Sequence, residues 1–552
     1  MTLILPQILA ALDPSAITHN PSNIFYVNPP YGLVRLKAQP GTITEAQCIV
    51  NEQVHAMNLL YSDENGDFFV MARLPFDTTA SYYFMVQDGT DSLRIPESQM
   101  YTPRAVPFNV PDWACGVVYY SIFTDGFFNG DISNDPEQKA LWGTPPREGL
   151  HFGGDFRGIL RKISHIESLG VGAVLLQPVL PSPSNHKFDP GVYNIVDPAF
   201  GDTVLFKQLI EEFHARNISV VLSMPVTHTG AAFPIFADIV KKGRDSKYVN
   251  WYRINTLPIT TAPPSYECWR QDPRFPKLDL SNNQVVNFVI GYIDYWRRFG
   301  VDGFYIGEDT DMPASFVTNL RSYIKSKYDD CLLIGSDPRH FSGRGFDGSE
   351  LTTFNNLIIA FFCKNSITAS EFDRALNRLL FFKPPQANRV NLLSASTVNM
   401  RIAAQSSPDI LRNLYAFLLT YPGSPVIMYG DEVGMTQGTS LNLGSFPWNE
   451  QAQDRAQLEE IKTLINIHNT HSQIASPTVY TLYINDITRV YAYDRGGFIT
   501  VLNNGSNGSF VELPAWDGTY LDVVSGDTLV AYSQALRLSV EPRSYRLLKR
   551  GF

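Results

Sequence analysis

The sequence predicts an α/β fold organised on a parallel sheet, either a barrel or a doubly wound sheet, with a strand-rich segment at each end. Three observations carry this. A helix capped at Ser281 and apolar at Val285, Val286, Val289, Ile293, Trp296 and Phe299 stops at Gly300, where a short strand over residues 301–306 begins. The same order of helix, stop and buried strand recurs at Gly170 before residues 171–177, and at Asn217 before residues 218–224. Alternating apolar residues between turn signals fill both ends of the chain. In either parallel architecture, functional groups collect at the carboxyl ends of the strands, here around residues 305–309.

Taken in order, residues 1–112 read as a β-sandwich, with strands at 24–27, 33–36, 68–71 and 82–86 and a joint at Pro103, Pro107 and Pro111. Residues 113–470 carry the parallel pattern, with strands expected at 117–123, 171–177, 218–224, 301–306, 331–335, somewhere within 351–358, 391–396 and 425–429. About residues 229–282 lack helical periodicity and contain Pro258, Pro263 and Pro264, which predicts a small domain inserted after the third strand. A helix near residues 457–468 leads to a C-terminal β-domain, 471–552, with strands at 479–483 and 498–502.

The 552 residues are 44% hydrophobic and 12% aromatic, a composition that supports well-cored domains and excludes disorder. A formal charge of -10 without any basic run argues against nucleic acid as partner. No apolar stretch reaches the length of a membrane span, and the apolar start lacks the basic flank of a signal peptide. Five widely spaced cysteines, Cys48, Cys115, Cys268, Cys331 and Cys363, read as reduced thiols, so a cytoplasmic location is expected. Asn129, Asp131, Asn134 and Asp135 form a run of hard oxygen donors, either a Ca²⁺-binding turn or a polar turn held by its own backbone bonds.

Several landmarks occur in order: His151-Phe152-Gly153-Gly154-Asp155, Asn185-His186-Lys187-Phe188-Asp189, Asp197-Pro198-Ala199-Phe200-Gly201, Phe275-Pro276-Lys277-Leu278 and Tyr429-Gly430-Asp431-Glu432. In these the chain resembles the α-amylase family, and within it the neopullulanase and cyclomaltodextrinase subfamily. The resemblance implies a (β/α)8 TIM barrel with an inserted domain after strand 3, an N-terminal β-sandwich and a C-terminal β-sandwich domain. It also implies a structural Ca²⁺ on Asn129, Asp131, Asn134, Asp135, Gly153 and Asp155. Pairing through the N-terminal domain, as a homodimer or with an active relative, follows from it as well.

The catalytic positions that the resemblance implies hold other residues. Retaining cleavage of an α-glucosidic bond needs a carboxylate nucleophile and a carboxylic acid on opposite sides of the scissile bond. The nucleophile's position is Gly307, the acid's is Ser336 and the third carboxylate's is Thr397, while the arginine of the fourth strand is Tyr305. Phe188 and His228 match sugar-contacting positions, and both are equally accounted for as packing residues. The expectation is a non-catalytic relative that binds an α-glucan or maltooligosaccharide weakly, or that pairs with a protein partner. The alternatives are a hydrolase or transglycosylase using displaced residues such as Glu308, Asp309 or Asp337, and a structural subunit of a heterodimer.

Overall fold

The computed structural model describes residues 12–551 except 20–24, 29–30, 40, 64–65, 76–80, 90, 103–109, 308–311, 337–344, 351, 382–387, 440 and 478. Two compact units emerge, Met1–Asn109 with Asp373–Asn388, and Val110–Phe372 with Arg389–Phe552. In the first, antiparallel strands follow one path. Gln53–Asp63 pairs with Glu45–Val50 through its first half and with Gly66–Pro75 through its second. Val34, Leu36 and Ala38 from one stretch of this path meet Ala46, Cys48, Val50, Tyr82, Phe84 and Val86 from the other in a single core, because alternate side chains on each strand face inward.

The second unit is built on eight parallel strands. We label them β1 (Tyr119–Ile122), β2 (Ala173–Leu176), β3 (Ser219–Ser223), β4 (Gly303–Ile306), β5 (Leu332–Gly335), β6 (Gly348–Ser349), β7 (Leu392–Ser394) and β8 (Ser424–Met428). They neighbour one another in the order β6-β5-β4-β3-β2-β1-β8-β7. A single parallel bridge, Glu350 to Leu392, joins the two ends and leaves the barrel nearly closed. Tyr119, Ala173, Leu175, Val221, Tyr305, Leu332, Ile334, Leu392 and Val426 pack together as its interior. The helix Asn283–Arg297 buries Val285, Val289, Ile293 and Trp296, the apolar stripe read from the sequence. Its cap is Asn282, whose side chain accepts from the Gln284 N–H; Ser281 instead bonds to Asp279.

One strand lies elsewhere than expected. Residues 352–358 form the helix Thr352–Ile358, and the sixth strand is the pair Gly348–Ser349. Two residues show no periodicity, and only pairing with Ile334 and Gly335 of β5 defines them as strand. The C-terminal segment holds a six-stranded antiparallel sheet and the pair Ser509–Pro514 with Ala535–Val540, sharing a core of Val490, Ile499, Val501, Leu513, Leu536 and Leu548. Among the described residues no helix is long and apolar enough to cross a membrane.

Candidate functional site

A cavity of 310 Å³ opens at the carboxyl end of the barrel. Strand alternation decides what reaches it. Ser121, Leu175, Tyr305, Glu350, Leu392 and Val426 share the inward parity, and all line it. The loops after β2 and β7 and the inserted segment add Phe188, Thr397, Val398, Trp269 and Arg270.

Phe188 is held firmly. Lys187, at φ +63°, turns the loop, and its buried ammonium pairs with Asp197 at 2.7 Å. Burial pushes His186 down to about 3, so its neutral Nδ1 can accept the Phe188 N–H at 3.1 Å. His228 does not line the cavity. It is fully buried, stacks on Trp269 at 4.6 Å and places Nε2 2.8 Å from the Phe188 carbonyl. His228 thereby props the two rings from behind, while Phe188 and Trp269 form the aromatic wall.

Of the three catalytic positions, Gly307 and Thr397 line the cavity and Ser336 is half-buried outside its lining. A side chain at 307 would require the Tyr305 ring to move, because its Cβ would overlap Cζ and Oη of that ring. Thr397 Oγ1 accepts the Asn399 N–H at 3.2 Å. Neighbouring Ser396 donates to buried Asp431 at 2.7 Å, and Arg401 donates to the Tyr429 carbonyl at 2.6 Å, so the Tyr429-Gly430-Asp431-Glu432 landmark forms the structural end of β8. Glu308, Asp309 and Asp337 lie outside the described residues.

Sequence reasoning missed Glu350, the only carboxylate among the described lining residues. Its Oε2 accepts a hydrogen bond from Tyr305 Oη. Burial raises its carboxyl above the ordinary 4.5, only partly offset by that bond. A correct sixth strand would have exposed it by parity, and Trp269 and Arg270 carried no periodic signal. Because the folded value exceeds the unfolded one, the stability linked to Glu350 is full below about 4.5 and is lost as pH rises through the folded value. Glu350→Gln is thus expected to raise the melting temperature at pH 8 by about 2–4 °C and to leave it unchanged at pH 4, read by circular dichroism.

The oxygen-rich turn has a defined geometry. Asn129 Oδ1 and Asn134 Oδ1 are buried with no hydrogen-bond donor. Asn129 Nδ2 donates to Asp135 Oδ1 at 2.5 Å, and Gly153, at φ +79°, lies so close that a Cβ would meet the same oxygen at 2.6 Å. Two donorless amide oxygens beside a carboxylate fit a hard cation. The other two carboxylates of the implied set are engaged. Asp155 accepts the N–H groups of Gly130, Asp131 and Gly158, and Asp131 accepts from Ser133 and pairs with Arg157 at 3.1 Å. Lys139 Nζ also reaches Asp135 Oδ2 at 2.5 Å. Among the described residues no three His, Cys, Asp or Glu side chains form a metal cluster.

Comparison with known proteins agrees with this architecture. Residues 121–336 match the family model for the alpha amylase catalytic domain. Cyclomaltodextrinase of Thermoanaerobacter pseudethanolicus is 30% identical over 528 residues, 90% of this chain and 91% of that protein. The chain belongs to the α-amylase family. Within it, neopullulanase 2 of Thermoactinomyces vulgaris is 29% identical over 560 residues, 94% of this chain and 96% of that protein. A solved cyclomaltodextrinase structure superposes with a TM-score of 0.87 at 26% identity, covering 97% of this chain and 100% of its own. The N- and C-terminal β-rich segments are thus shared with this branch of the α-amylase family along with the barrel.

Proposed function

We propose that this protein of α-glucan metabolism binds a maltooligosaccharide at the barrel mouth without hydrolysing it by the two-carboxylate route. The observation that carries this reading is the Tyr305 ring filling the space of a side chain at 307. Phe188 and Trp269 supply stacking surface, whereas charged bonds worth about 1.5–3 kcal/mol each are gone from the cleavage position. Isothermal titration with maltohexaose is expected to give a Kd on the order of 0.1–10 mM, weakened at least about fivefold by Phe188→Ala. Absence of heat at about 20 mM would overturn the reading.

A second reading is an α-glucan hydrolase or transglycosylase with displaced groups. The relatives' names, neopullulanase and cyclomaltodextrinase, favour it over the first. So does Glu350, since burial raises its carboxyl above the ordinary value, the direction that general-acid work requires. Release of reducing sugar from cyclodextrin, lost in Glu350→Gln, would decide for it.

Three further assignments belong to the proposal. Calcium binds at Asn129, Asp131, Asn134, Asp135, Gly153 and Asp155. At a hundredfold excess over its dissociation constant it is expected to stabilise the fold by roughly 2.7 kcal/mol, an increment that Asp135→Ala abolishes in a calcium-free melting series. Pairing as a homodimer, or with an intact relative, uses the N-terminal strands. A cytoplasmic location accords with five cysteines that are all free.

A further inference from the structure

The C-terminal segment holds a second cavity, of 600 Å³, far in sequence from the barrel mouth. Its frame comes from several turns at once. The hairpin turn between Val490–Arg495 and Phe498–Asn503 contributes Asp494, Gly496 and Gly497; both glycines have positive φ, and a Cβ on either would meet nothing within 4 Å. Opposite stands the loop carrying Trp516. Tyr520 Oη donates to the Trp516 carbonyl at 3.1 Å, and Arg550 Nη2 donates to the adjacent Asp517 carbonyl at 3.3 Å. That loop is also bonded to the turn at Gln534, through Ala515 N to the Gln534 carbonyl and Gln534 N to Asp517 Oδ1.

The lining combines three kinds of group. Trp516 is 71% exposed, an indole face left to solvent on an ordered loop rather than folded into the core beside it. Asp494 and Arg550 supply one negative and one positive charge, so an ionic ligand of either sign gains little net attraction. Gln473 and Gln534 add amide side chains that both donate and accept. A ligand matching this set is neutral, carries hydroxyls that donate and accept at once, and has an apolar face broad enough to lie on an indole. A pyranose ring in a chain has all three properties, and the cavity lies within the range of built ligand sites of about 300–1,000 Å³.

We propose that this cavity is a second carbohydrate-binding site, with Trp516 as its platform, taking a segment of an α-glucan chain. The choice of α-glucan rests on membership of the α-amylase family; the choice of a neutral sugar rests on the lining alone. Neither depends on what the barrel mouth binds.

Affinity electrophoresis of the full chain in native gels containing amylopectin tests it. Retardation is expected for the unaltered protein and for Phe188→Ala, and Trp516→Ala should raise the apparent Kd about tenfold. The exposed position of Trp516 predicts an unchanged melting curve for that variant, which separates loss of binding from loss of fold. Absence of retardation, or equal retardation of Trp516→Ala, would overturn the site. Equal retardation by hydroxyethyl cellulose would overturn the α-glucan assignment. Loss in Phe188→Ala alone would place the binding at the barrel mouth and refute this second site.

Discussion

Gly307→Asp is expected to restore no hydrolysis of cyclodextrin, pullulan or starch, and to destabilise the barrel by about 1–3 kcal/mol. Position 307 is where the family resemblance places a nucleophile, so the simplest repair would be to return the carboxylate. The structure opposes it, because the Tyr305 phenol lies where the new Cβ would go and donates to Glu350 there. Forcing the ring out would also strip Glu350 of that partner. Even with room made, Ser336 supplies no general acid, and a hydroxyl holds its proton far too tightly for that work near neutrality. Since enzymes commonly accelerate their reactions by 10⁶-fold or more, the unaltered protein and the single variant should both stay at background by reducing-sugar assay. Tyr305→Arg/Gly307→Asp should recover part of the lost stability, because the flexible arginine need not cover residue 307; the coupling appears as non-additivity in a double-mutant cycle. Measurable turnover in Gly307→Asp, or an unchanged unfolding midpoint, would refute this account of the site.

Much of the architecture was legible because burial writes itself as a period. The stripe from Val285 to Trp296 follows the helical period, the strands ending at Ile306 and Gly335 show as short apolar runs buried at every position, and the order of landmarks added the barrel topology. What escaped was held by contacts remote in sequence. Gly348–Ser349 is too short to alternate and becomes a strand only by pairing with β5, so Glu350 went unseen although its neighbours were placed. His228 shows a different limit: its position was marked, yet a histidine's role depends on where its nitrogens point, and only the fold shows both turned toward Thr227 and the Phe188 carbonyl. At the oxygen-rich turn the residue types were visible in the sequence, but only the backbone path reveals that Asp155 accepts three N–H groups.

The short sixth strand points to the largest expected loss of stability, that of Asp347→Ala. Asp347 immediately precedes Gly348, and its side chain is completely buried. One oxygen pairs with Arg321 at 2.5 Å; the other pairs with Lys325 at 2.8 Å and accepts the Leu333 N–H of β5 at 2.9 Å. Its own N–H bonds to the Leu333 carbonyl. Asp347 thereby fastens β6 both to β5 and to the helix Ala314–Lys327, which supplies the two cations. Removing the carboxylate leaves a guanidinium and an ammonium close together with little access to water, and breaking a buried pair in this way costs about 3–5 kcal/mol. Asp347→Asn keeps the shape and one acceptor but loses the charge, so it should fall between the unaltered protein and Asp347→Ala in urea unfolding. Glu350 follows directly on that strand and makes the bridge to Leu392 that closes the barrel, so maltohexaose affinity should drop in the same order as stability. If Asp347→Ala unfolds within about 1 kcal/mol of the unaltered protein, the two cations have found other partners or water, and Asp347 is not the fastening of the sixth strand.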